Sequence, residues 1–280
     1  MITDEQKEQR KLGIGGSDMP IILGLSSYKT PYQLYLEKKG IISDGDKMSP
    51  VQYWGNRLES IIRDEFALRN NVTIETPDTI IHPFYDFLRA NLDGYIKEWE
   101  SVLEVKFATQ FMAQEWGEDG SDFIPMAYLV QVAHYCAITN ADSAYIAVLI
   151  GGHDYRQYKY SRDLELENTL FKAASDFWDA VQKDLPPPAV NQIDLKLMFP
   201  SHQVGKSVNV SEDIFEHLKN LNEIKKKIKE LQEIEETNKF NIMQYMNDAE
   251  CLTDEDGRPL VTWKANKRGS RTFLLKGTVS

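Results

Sequence analysis

Four stretches of the chain carry apolar residues at the three- and four-residue spacing that predicts amphipathic helices. They cover residues 51–69, 125–138, 163–183 and 211–236. The predicted buried stripe of the first stretch consists of Trp54, Leu58, Ile61, Ile62 and Phe66. In the last, the residues at nearly heptad spacing are Ile214, Leu218, Leu221, Ile228 and Leu231. This pattern predicts one long helix that packs against a partner helix or the main body, and a further helix is expected at 241–249.

Residues 102–107 instead alternate between apolar and charged side chains, which predicts a strand. Leu103, Val105 and Phe107 would lie on the apolar face, with Glu104 and Lys106 on the other. Helix-like and strand-like segments alternate up to the three prolines at 186–188. We therefore predict a main domain over residues 1–188. Residues 189–280 would form an appendage with the long helix and a strand pair near 260–264 and 272–276.

Composition narrows the function classes. The 280 residues carry a formal net charge of −11, which argues against a protein that coats nucleic acid through a broad basic face. A nuclease is still compatible, because a metal site needs clustered carboxylates and DNA contact can be confined to a groove. Two cysteines exclude a disulfide framework and fit a reducing compartment. Without an apolar stretch of membrane length or a signal-peptide core, we expect a cytoplasmic protein with no membrane partner.

The segment GIGGSD at residues 13–18 combines a glycine-rich turn with the start of a short apolar helix. Ser17 or Asp18 is a suitable N-cap, and free backbone N–H groups at such a turn can hold an anion such as phosphate. The guanidinium of Arg10, just upstream, could bind the same anion through two parallel hydrogen bonds. The alternative is an ordinary turn followed by a capped helix.

A second segment, WGNRLE, places Glu59 at the edge of the apolar stripe of the first helix, one turn after Gly55. A carboxylate in that position can reach inward to a metal ion. The alternative is a boundary glutamate in a surface ion pair.

The third segment carries the strongest signal. Asp93 lies at the end of a strand, eleven positions before Glu104, and a hairpin would bring the two carboxylates together. Adjacent carboxylates repel, so a hard cation such as Mg²⁺ between them would relieve the repulsion. Lys106 points the same way as Glu104 and could stabilise charge as a phosphodiester is attacked. An Asp, a hairpin and Glu-x-Lys form the signature of the PD-(D/E)xK nucleases. The alternative is a surface hairpin in which the same residues occur by chance.

A helix face at 125–138 carries Tyr128, Gln131 and Tyr135 at spacings of three and four. Gln131 can both donate and accept, so it could orient a water molecule or hold a phosphate. Such a face could equally pack against a sheet. His134 faces another way, and we interpret all five histidines as structural.

Together these segments resemble the YqaJ-type viral recombinase nucleases, the group that includes the phage lambda-type exonuclease. The order GIGGSD, WGNRLE, ANLDGY, LEVK and QVAHY between Arg10 and Tyr135 carries the resemblance, which spans about half of the chain. It implies an α/β fold of the restriction-endonuclease-like kind, with a central mixed sheet flanked by helices. Each of the five segments alone is a weak indication of this family, but their occurrence together in this order is a specific one.

The resemblance also implies a role for each matching residue. One or two Mg²⁺ or Mn²⁺ ions would be bound by Glu59, Asp93, Glu104 and the carbonyl of Val105. Catalytic support would come from Lys106, which positions or activates the attacking water, and from Gln131 and Tyr135. The 5′-phosphate of the digested strand would be bound by Arg10 and Ser17. One departure is Asn91-Leu92, where the family often has Ser or Pro; Asn91 could still contact the DNA backbone.

The implied activity is 5′-to-3′ digestion of linear double-stranded DNA, leaving single-stranded tails for phage-type recombination. The implied partners are DNA ends, a single-strand annealing recombinase and further copies of the chain in a homotrimer, in the cytoplasm of a bacterial host. Two alternatives remain open: a structure-specific or restriction-type endonuclease on the same fold, and a non-catalytic DNA-end-binding module. The adjacent carboxylates argue against the non-catalytic module, because a protein that only binds DNA does not need them.

The C-terminal strand pair carries a local basic cluster without acidic residues, comprising Lys264, Lys267, Arg268, Arg271 and Lys276. Its turn at 266–271 would present Lys267, Arg268 and Arg271 outward as DNA-backbone contacts. The alternatives are a solvated basic turn, or a contact with the annealing partner or a neighbouring subunit.

Overall fold

The structure, a computed structural model, describes residues 10–43, 49–267 and 269–276. The chain divides into two compact units, Met1–Ser201 and His202–Ser280. Within the described ranges, no helix is long and apolar enough to cross a membrane.

The first unit is built on a five-stranded sheet in the order β1-β4-β5-β6-β7. Its strands are β1 Ile74–Glu75, β4 Gly94–Ile96, β5 Ser101–Ala108, β6 Ser143–Ile150 and β7 Asp154–Ser161, and a separate pair is formed by β2 Ile80–Ile81 and β3 Arg89–Ala90. Strands β5 and β6 run parallel, whereas β1–β4, β4–β5 and β6–β7 are antiparallel. The predicted central mixed sheet is therefore confirmed.

Helices cover both faces of this sheet. They are α1 Met19–Ile22, α2 Pro31–Lys38, α3 Pro50–Asn70, α4 Met126–Thr139, α5 Leu164–Gln182 and α6 Gln192–Met198. The boundaries of α3, α4 and α5 lie within one residue of the predicted ones. Two of these starts are capped by side chains: Ser49 accepts from the Gln52 N–H, and Asp163 accepts from the N–H groups of Glu165 and Leu166.

The alternation predicted for β5 is confirmed by its two packing environments. Leu103 and Val105 join residues of α3 in one apolar cluster. Val102 and Ala108 belong to the larger core, which also contains the buried face of α4. Because Glu104 shares its face with Val102, its carboxylate points towards α4 rather than α3.

The predicted buried stripe of α3 is only partly correct. Ile62 and Phe66 are buried, whereas Trp54 is 55% and Ile61 59% exposed. Neighbouring helical residues point about 100° apart, so Ile61 cannot share the direction of Ile62. Burial on α3 is confined to its C-terminal half, which lies against β5 and β6.

The second unit contains α7 Glu212–Met246 and a three-stranded antiparallel sheet of β8 Cys251–Thr253, β9 Pro259–Ala265 and β10 Arg271–Leu275. The two helices predicted at 211–236 and 241–249 form one continuous helix of 35 residues. Residues 237–240 contain no Gly or Pro that would break it. The predicted strand pair corresponds to β9 and β10, and β8 adds a third strand.

The division after Ser201 differs from the predicted boundary at residue 188. The reason is α6, whose buried Asp194 accepts hydrogen bonds from Thr30 Oγ1 at 2.8 Å and Gln33 Nε2 at 3.2 Å. These bonds join α6 to the start of α2. Residues 192–198 therefore belong with the first unit.

The structure corrects the prediction that Arg271 points outward. Its guanidinium donates to the carbonyls of Trp263 at 3.0 Å, Asn247 at 2.7 Å and Ala249. The guanidinium carbon also lies 3.6 Å from the centre of the Trp263 ring. Arg271 thus ties the end of α7 to the small sheet and is not available at the tip of the turn.

Other members of the basic cluster have different environments. Lys264 is exposed and forms an ion pair with Glu250 at 3.3 Å. Lys267 is exposed, and Arg268 lies outside the described residues. Lys267 therefore stays a predicted contact with the DNA backbone.

Candidate active site

The motif aspartate is placed by the hairpin of β4 and β5. Asp93 directly precedes β4, in which Gly94 lies opposite Leu103, so it stands at the start of the paired strand rather than at the end of an earlier one. Its Oδ2 accepts the Val105 N–H at 2.8 Å. This bond holds the carboxylate beside the segment that carries Glu104 and Lys106.

Glu104 is the centre of the polar cluster. It is only 1% exposed, and its Oε1 accepts from Lys106 Nζ and from Gln131 Nε2, the latter at 2.7 Å. Gln131 Nε2 also lies 3.0 Å from the Tyr135 hydroxyl, which places α4 directly over the motif strand. Lys106 Nζ lies 5.2 Å from the centre of the Tyr128 ring, a cation–π distance. The predicted grouping of Glu104, Lys106, Gln131 and Tyr135 is therefore present.

Glu59 reaches the cluster from α3. Its Oε1 accepts from Arg63 Nη1 at 3.3 Å, and the same nitrogen donates to the backbone carbonyl of Asp93 at 2.9 Å. Arg63 therefore connects α3 to the motif aspartate. Sequence reasoning missed it, although its position four residues after Glu59 is the spacing of a helical ion pair.

Burial and mutual repulsion shape the ionisation of the carboxylates. Burial, with the nearby charge of Asp93, raises the pKa of Glu104 to about 8. Burial also raises the pKa of Asp93, and burial together with the Asp93 charge raises that of Glu59. Burial alone would lower the pKa of Lys106, but the charges of Glu104 and Asp93 raise it further, so this lysine stays charged.

Two observations bear on whether a divalent cation fits here. Among the described residues, no three carboxylate, imidazole or thiol groups lie close enough together to form a complete metal-binding site. Lys106 and Arg63 instead provide the positive charge next to Glu104 and Glu59. However, Glu104 Oε2 is buried and accepts no hydrogen bond from the described residues. Since a buried carboxylate oxygen needs a partner, this atom, with the carboxylates of Asp93 and Glu59 nearby, fits a hard cation.

The glycine-rich segment lies directly on the same cluster. A Cβ at Gly16 would come within 2.6 Å of Tyr135 Cζ, so the backbone packs directly against that ring. Arg10 and Ser17 are both exposed. Burial raises the pKa of Tyr135, and the charge of Arg10 acts to lower it, which indicates that Arg10 lies near the site.

The cap predicted for this segment is different in the structure. Neither Ser17 nor Asp18 caps the helix that follows; the Asp18 carboxylate turns back and accepts the Gly15 N–H at 2.9 Å. The nearly buried Lys38 Nζ then bonds to Asp18 Oδ2 at 2.6 Å and to the Gly13 carbonyl at 2.7 Å. The Gly15 N–H is therefore already used by Asp18. No sequence motif marks Lys38, because its partners lie 20 and 25 residues away.

Two further residues have structural partners. His134 Nε2 lies 3.1 Å from the Arg89 carbonyl, and burial lowers the pKa of His134 to about 4, so it is neutral at physiological pH. This agrees with its interpretation as structural. Asn91 is exposed, and its Oδ1 accepts from Thr79 Oγ1 at 2.6 Å.

The contact between Gly16 and Tyr135 yields a test of this packing. We expect Gly16→Ala to cost about 1–3 kcal/mol of stability through overpacking, and to slow any reaction that depends on Tyr135 and Gln131. Gly15→Ala is the matched control, because its Cβ would meet no atom closer than 3.8 Å. Thermal unfolding of both variants checks this expectation, and equal stabilities would contradict the packing described.

Comparison with known proteins identifies the family. Residues 5–142 match the model of the YqaJ-like viral recombinase domain. The chain is also 34% identical, over 258 residues, to the uncharacterized protein YqaJ of Bacillus subtilis, covering 89% of this chain and 80% of that protein. The chain belongs to the YqaJ-like viral recombinase family. The resemblance carried by the five sequence segments is thereby confirmed.

Solved structures support the fold of this family member. The alkaline exonuclease LHK-Exo of Laribacter hongkongensis matches with a TM-score of 0.54 at 14% identity, over 65% of this chain and 94% of that one. LHK-Exo in complex with dAMP matches with a TM-score of 0.54 at 15% identity, over 70% and 97% of the two chains. The restriction-endonuclease-like fold class is therefore confirmed.

Proposed function

We propose that this protein is a metal-dependent exonuclease that digests linear double-stranded DNA from 5′ to 3′. The observation that carries the proposal is the cluster of Glu104, Lys106, Asp93 and Glu59, with one buried oxygen of Glu104 left unpartnered among the described residues. Membership of the viral recombinase family and the fold shared with an alkaline exonuclease support it. The dAMP complex of that exonuclease supports a nucleotide product. The single-stranded tails would serve recombination together with a single-strand annealing protein.

Glu59, Asp93 and Glu104, with the Val105 carbonyl, are the groups that would hold Mg²⁺ or Mn²⁺. One or two such ions would supply the positive charge that phosphodiester hydrolysis needs at the phosphate. Asp93 is held in place by the Val105 N–H, and Glu104 by Gln131. These bonds fix two carboxylates in position before the substrate arrives, which reduces the reorganisation required during reaction.

Lys106 has a separate role in the proposed reaction. Its ammonium group stays charged beside Glu104 and is partly accessible, so it can donate to the attacking water or to a phosphate oxygen. Gln131 and Tyr135 support Glu104 from the other side. The chain's own residues thus provide orientation, positive charge and hydrogen-bond donors around one phosphodiester.

We further propose that Arg10 and Ser17 bind the 5′-phosphate of the digested strand. Both are exposed, and the charge of Arg10 acts on Tyr135 within the cluster. The Gly15 N–H is not part of this proposed contact, because Asp18 already uses it.

The test of polarity compares linear duplexes with 5′-phosphate and 5′-hydroxyl ends. We expect faster digestion of the phosphorylated duplex, and Arg10→Ala should reduce that preference by about 10- to 100-fold, the loss of one hydrogen bond to a charged group. Arg69→Ala is the matched control, since Arg69 is an exposed arginine paired with Glu65. Equal rates from both ends, or digestion from the 3′ end, would contradict the assignment.

The same assay separates the exonuclease from a structure-specific or restriction-type endonuclease. An exonuclease leaves a closed circular duplex intact and digests it after linearisation. Cleavage of the closed circle would favour the endonuclease, and DNA binding without any cleavage would favour the end-binding module.

A further inference from the structure

The ammonium group of Lys38, the last residue of α2, binds three acceptors in one short segment, residues 10–18. Its Nζ donates to the carbonyls of Arg10 and Gly13, each at 2.7 Å, and to Asp18 Oδ2 at 2.6 Å. The side chain is only 5% exposed, and an ammonium group has three donors and no acceptor. Lys38 is therefore fully engaged by this segment and can affect the candidate active site only through it.

The bond to the Arg10 carbonyl replaces a helical bond that is not made. Residues 10 and 11 are helical, and the chain turns at residue 12. If the helix continued, the Ile14 N–H would donate to the Arg10 carbonyl, four residues earlier. That N–H donates instead to the Phe87 carbonyl at 2.6 Å. Lys38 supplies the missing donor, since lysine side chains can bond to the last carbonyls of a helix.

Both ends of this segment lie near the candidate active site. Gly16 packs directly against the Tyr135 ring. The charge of Arg10 acts to lower the pKa of Tyr135, so the guanidinium is close to the same side chain. Lys38 joins the two ends, because it binds the Arg10 carbonyl at one end and the Asp18 carboxylate at the other. The position of Arg10 relative to the site therefore depends on Lys38.

We propose that Lys38 is a positioning residue for recognition of the 5′ end of the DNA. By holding both ends of residues 10–18, it fixes Arg10 above the site and relative to Ser17. The inference rests on the proposed function, in which Arg10 and Ser17 bind the 5′-phosphate. Loss of the Lys38 ammonium group should therefore weaken the selection of a phosphorylated end much more than it slows hydrolysis at an end without phosphate.

Two variants of the full-length protein remove this ammonium group. Lys38→Met leaves the Asp18 carboxylate without its cation, and breaking a buried ion pair destabilises a protein. A second variant therefore combines Lys38→Met with Asp18→Asn, which removes both charges and keeps an acceptor for the Gly15 N–H. Lys39→Met is the matched control, because Lys39 is the next residue and pairs with Asp184 on the surface. Thermal unfolding sets an assay temperature at which all of these proteins are folded.

The first measurement is the ratio of single-turnover digestion rates for linear duplexes with 5′-phosphate and 5′-hydroxyl ends. We expect both Lys38 variants to lower this ratio about 10- to 100-fold, the usual cost of misplacing a binding group by about 1 Å. Lys39→Met should keep the wild-type ratio. A role in stability alone would slow both substrates equally, so an unchanged ratio in the Lys38 variants would overturn the proposal.

Hydrogen exchange measures the positioning itself, without DNA or a metal ion. We expect the Ile14 N–H, which donates to the Phe87 carbonyl, to exchange faster in both Lys38 variants relative to the amides of β5. Lys39→Met should exchange like the wild type. Wild-type exchange of Ile14 in the Lys38 variants would show that other contacts hold the segment, and the proposal would fail.

A double-mutant cycle tests whether Lys38 acts through Arg10. Arg10→Ala already removes the positioned group, so in that background Lys38→Met should change the ratio less than about twofold. Residues that act independently would have fold-changes that multiply, and that result would overturn the proposal. Equal wild-type rates on the two ends would contradict the 5′-phosphate assignment and this proposal with it. A preference that survives in the Lys38 variants would contradict this proposal alone.

Discussion

Replacing Lys106 by methionine is expected to slow single-turnover digestion of linear duplex DNA by about 100- to 1000-fold, the usual cost of losing one electrostatic partner of a transition state. Methionine keeps most of the unbranched apolar stem of the side chain and removes its charge. The measurement is the rate of nucleotide release under excess enzyme.

Lys97→Met is the control for this variant, because Lys97 is a surface lysine paired with Glu75. Circular dichroism should show that both variants keep the wild-type fold. A folded Lys106→Met protein that digests DNA at nearly the wild-type rate would exclude Lys106 from the reaction.

The sequence predicted which residues of the site share a strand face or a helix face, but it did not predict the contacts that join distant segments. Alternation in residues 102–107 was enough to place Glu104 and Lys106 on one face, and helical spacing was enough to align Gln131 with Tyr135. These are local periodicities of a strand and a helix, which follow directly from backbone geometry.

Connections between distant segments could not be predicted in this way. Arg63 reaches the Asp93 carbonyl across 30 residues, and Lys38 reaches Gly13 across 25. Arg271 was expected to point outward because only its charge was visible in the sequence, whereas two of its partners are backbone carbonyls 22 and 24 residues away. Backbone carbonyls carry no residue-type signal, so such contacts become visible only in the fold.

The basic residues of the site reduce the repulsion among its carboxylates. Lys106 bonds to Glu104, and Arg63 to Glu59, so the acidic groups are stabilised without a metal ion. A divalent cation bound at this site would have to share Glu104 with Lys106. The Oε2 atom of Glu104, which has no partner among the described residues, makes this sharing feasible.

Binding of a divalent cation should therefore depend strongly on pH. The pKa of Glu104 is raised from 4.5 to about 8, so at pH 7 this group carries a proton that the cation must displace. We expect the apparent affinity for Mg²⁺ to rise about tenfold per pH unit below pH 8 and to level off above it. Calorimetry in buffers of different ionisation enthalpy should detect the release of about one proton near pH 7.

The stability of the protein should also change with pH over this range, and the direction of the change follows from the raised pKa of Glu104. Without a cation, the folded state holds the Glu104 proton more tightly than the unfolded state, so stability declines as the pH rises from 4.5 towards about 8. Mg²⁺ at about 100 times its Kd should add about 2.7 kcal/mol, an increment that is reached at lower Mg²⁺ concentrations as the pH rises. Glu104→Gln should remove most of the pH dependence near pH 7 and most of the binding, whereas Glu75→Gln, a change at a surface glutamate paired with Lys97, should alter neither. An affinity that stays constant between about pH 6 and pH 8, or a Glu104→Gln protein that binds Mg²⁺ like the wild type, would show that Glu104 is not a metal ligand.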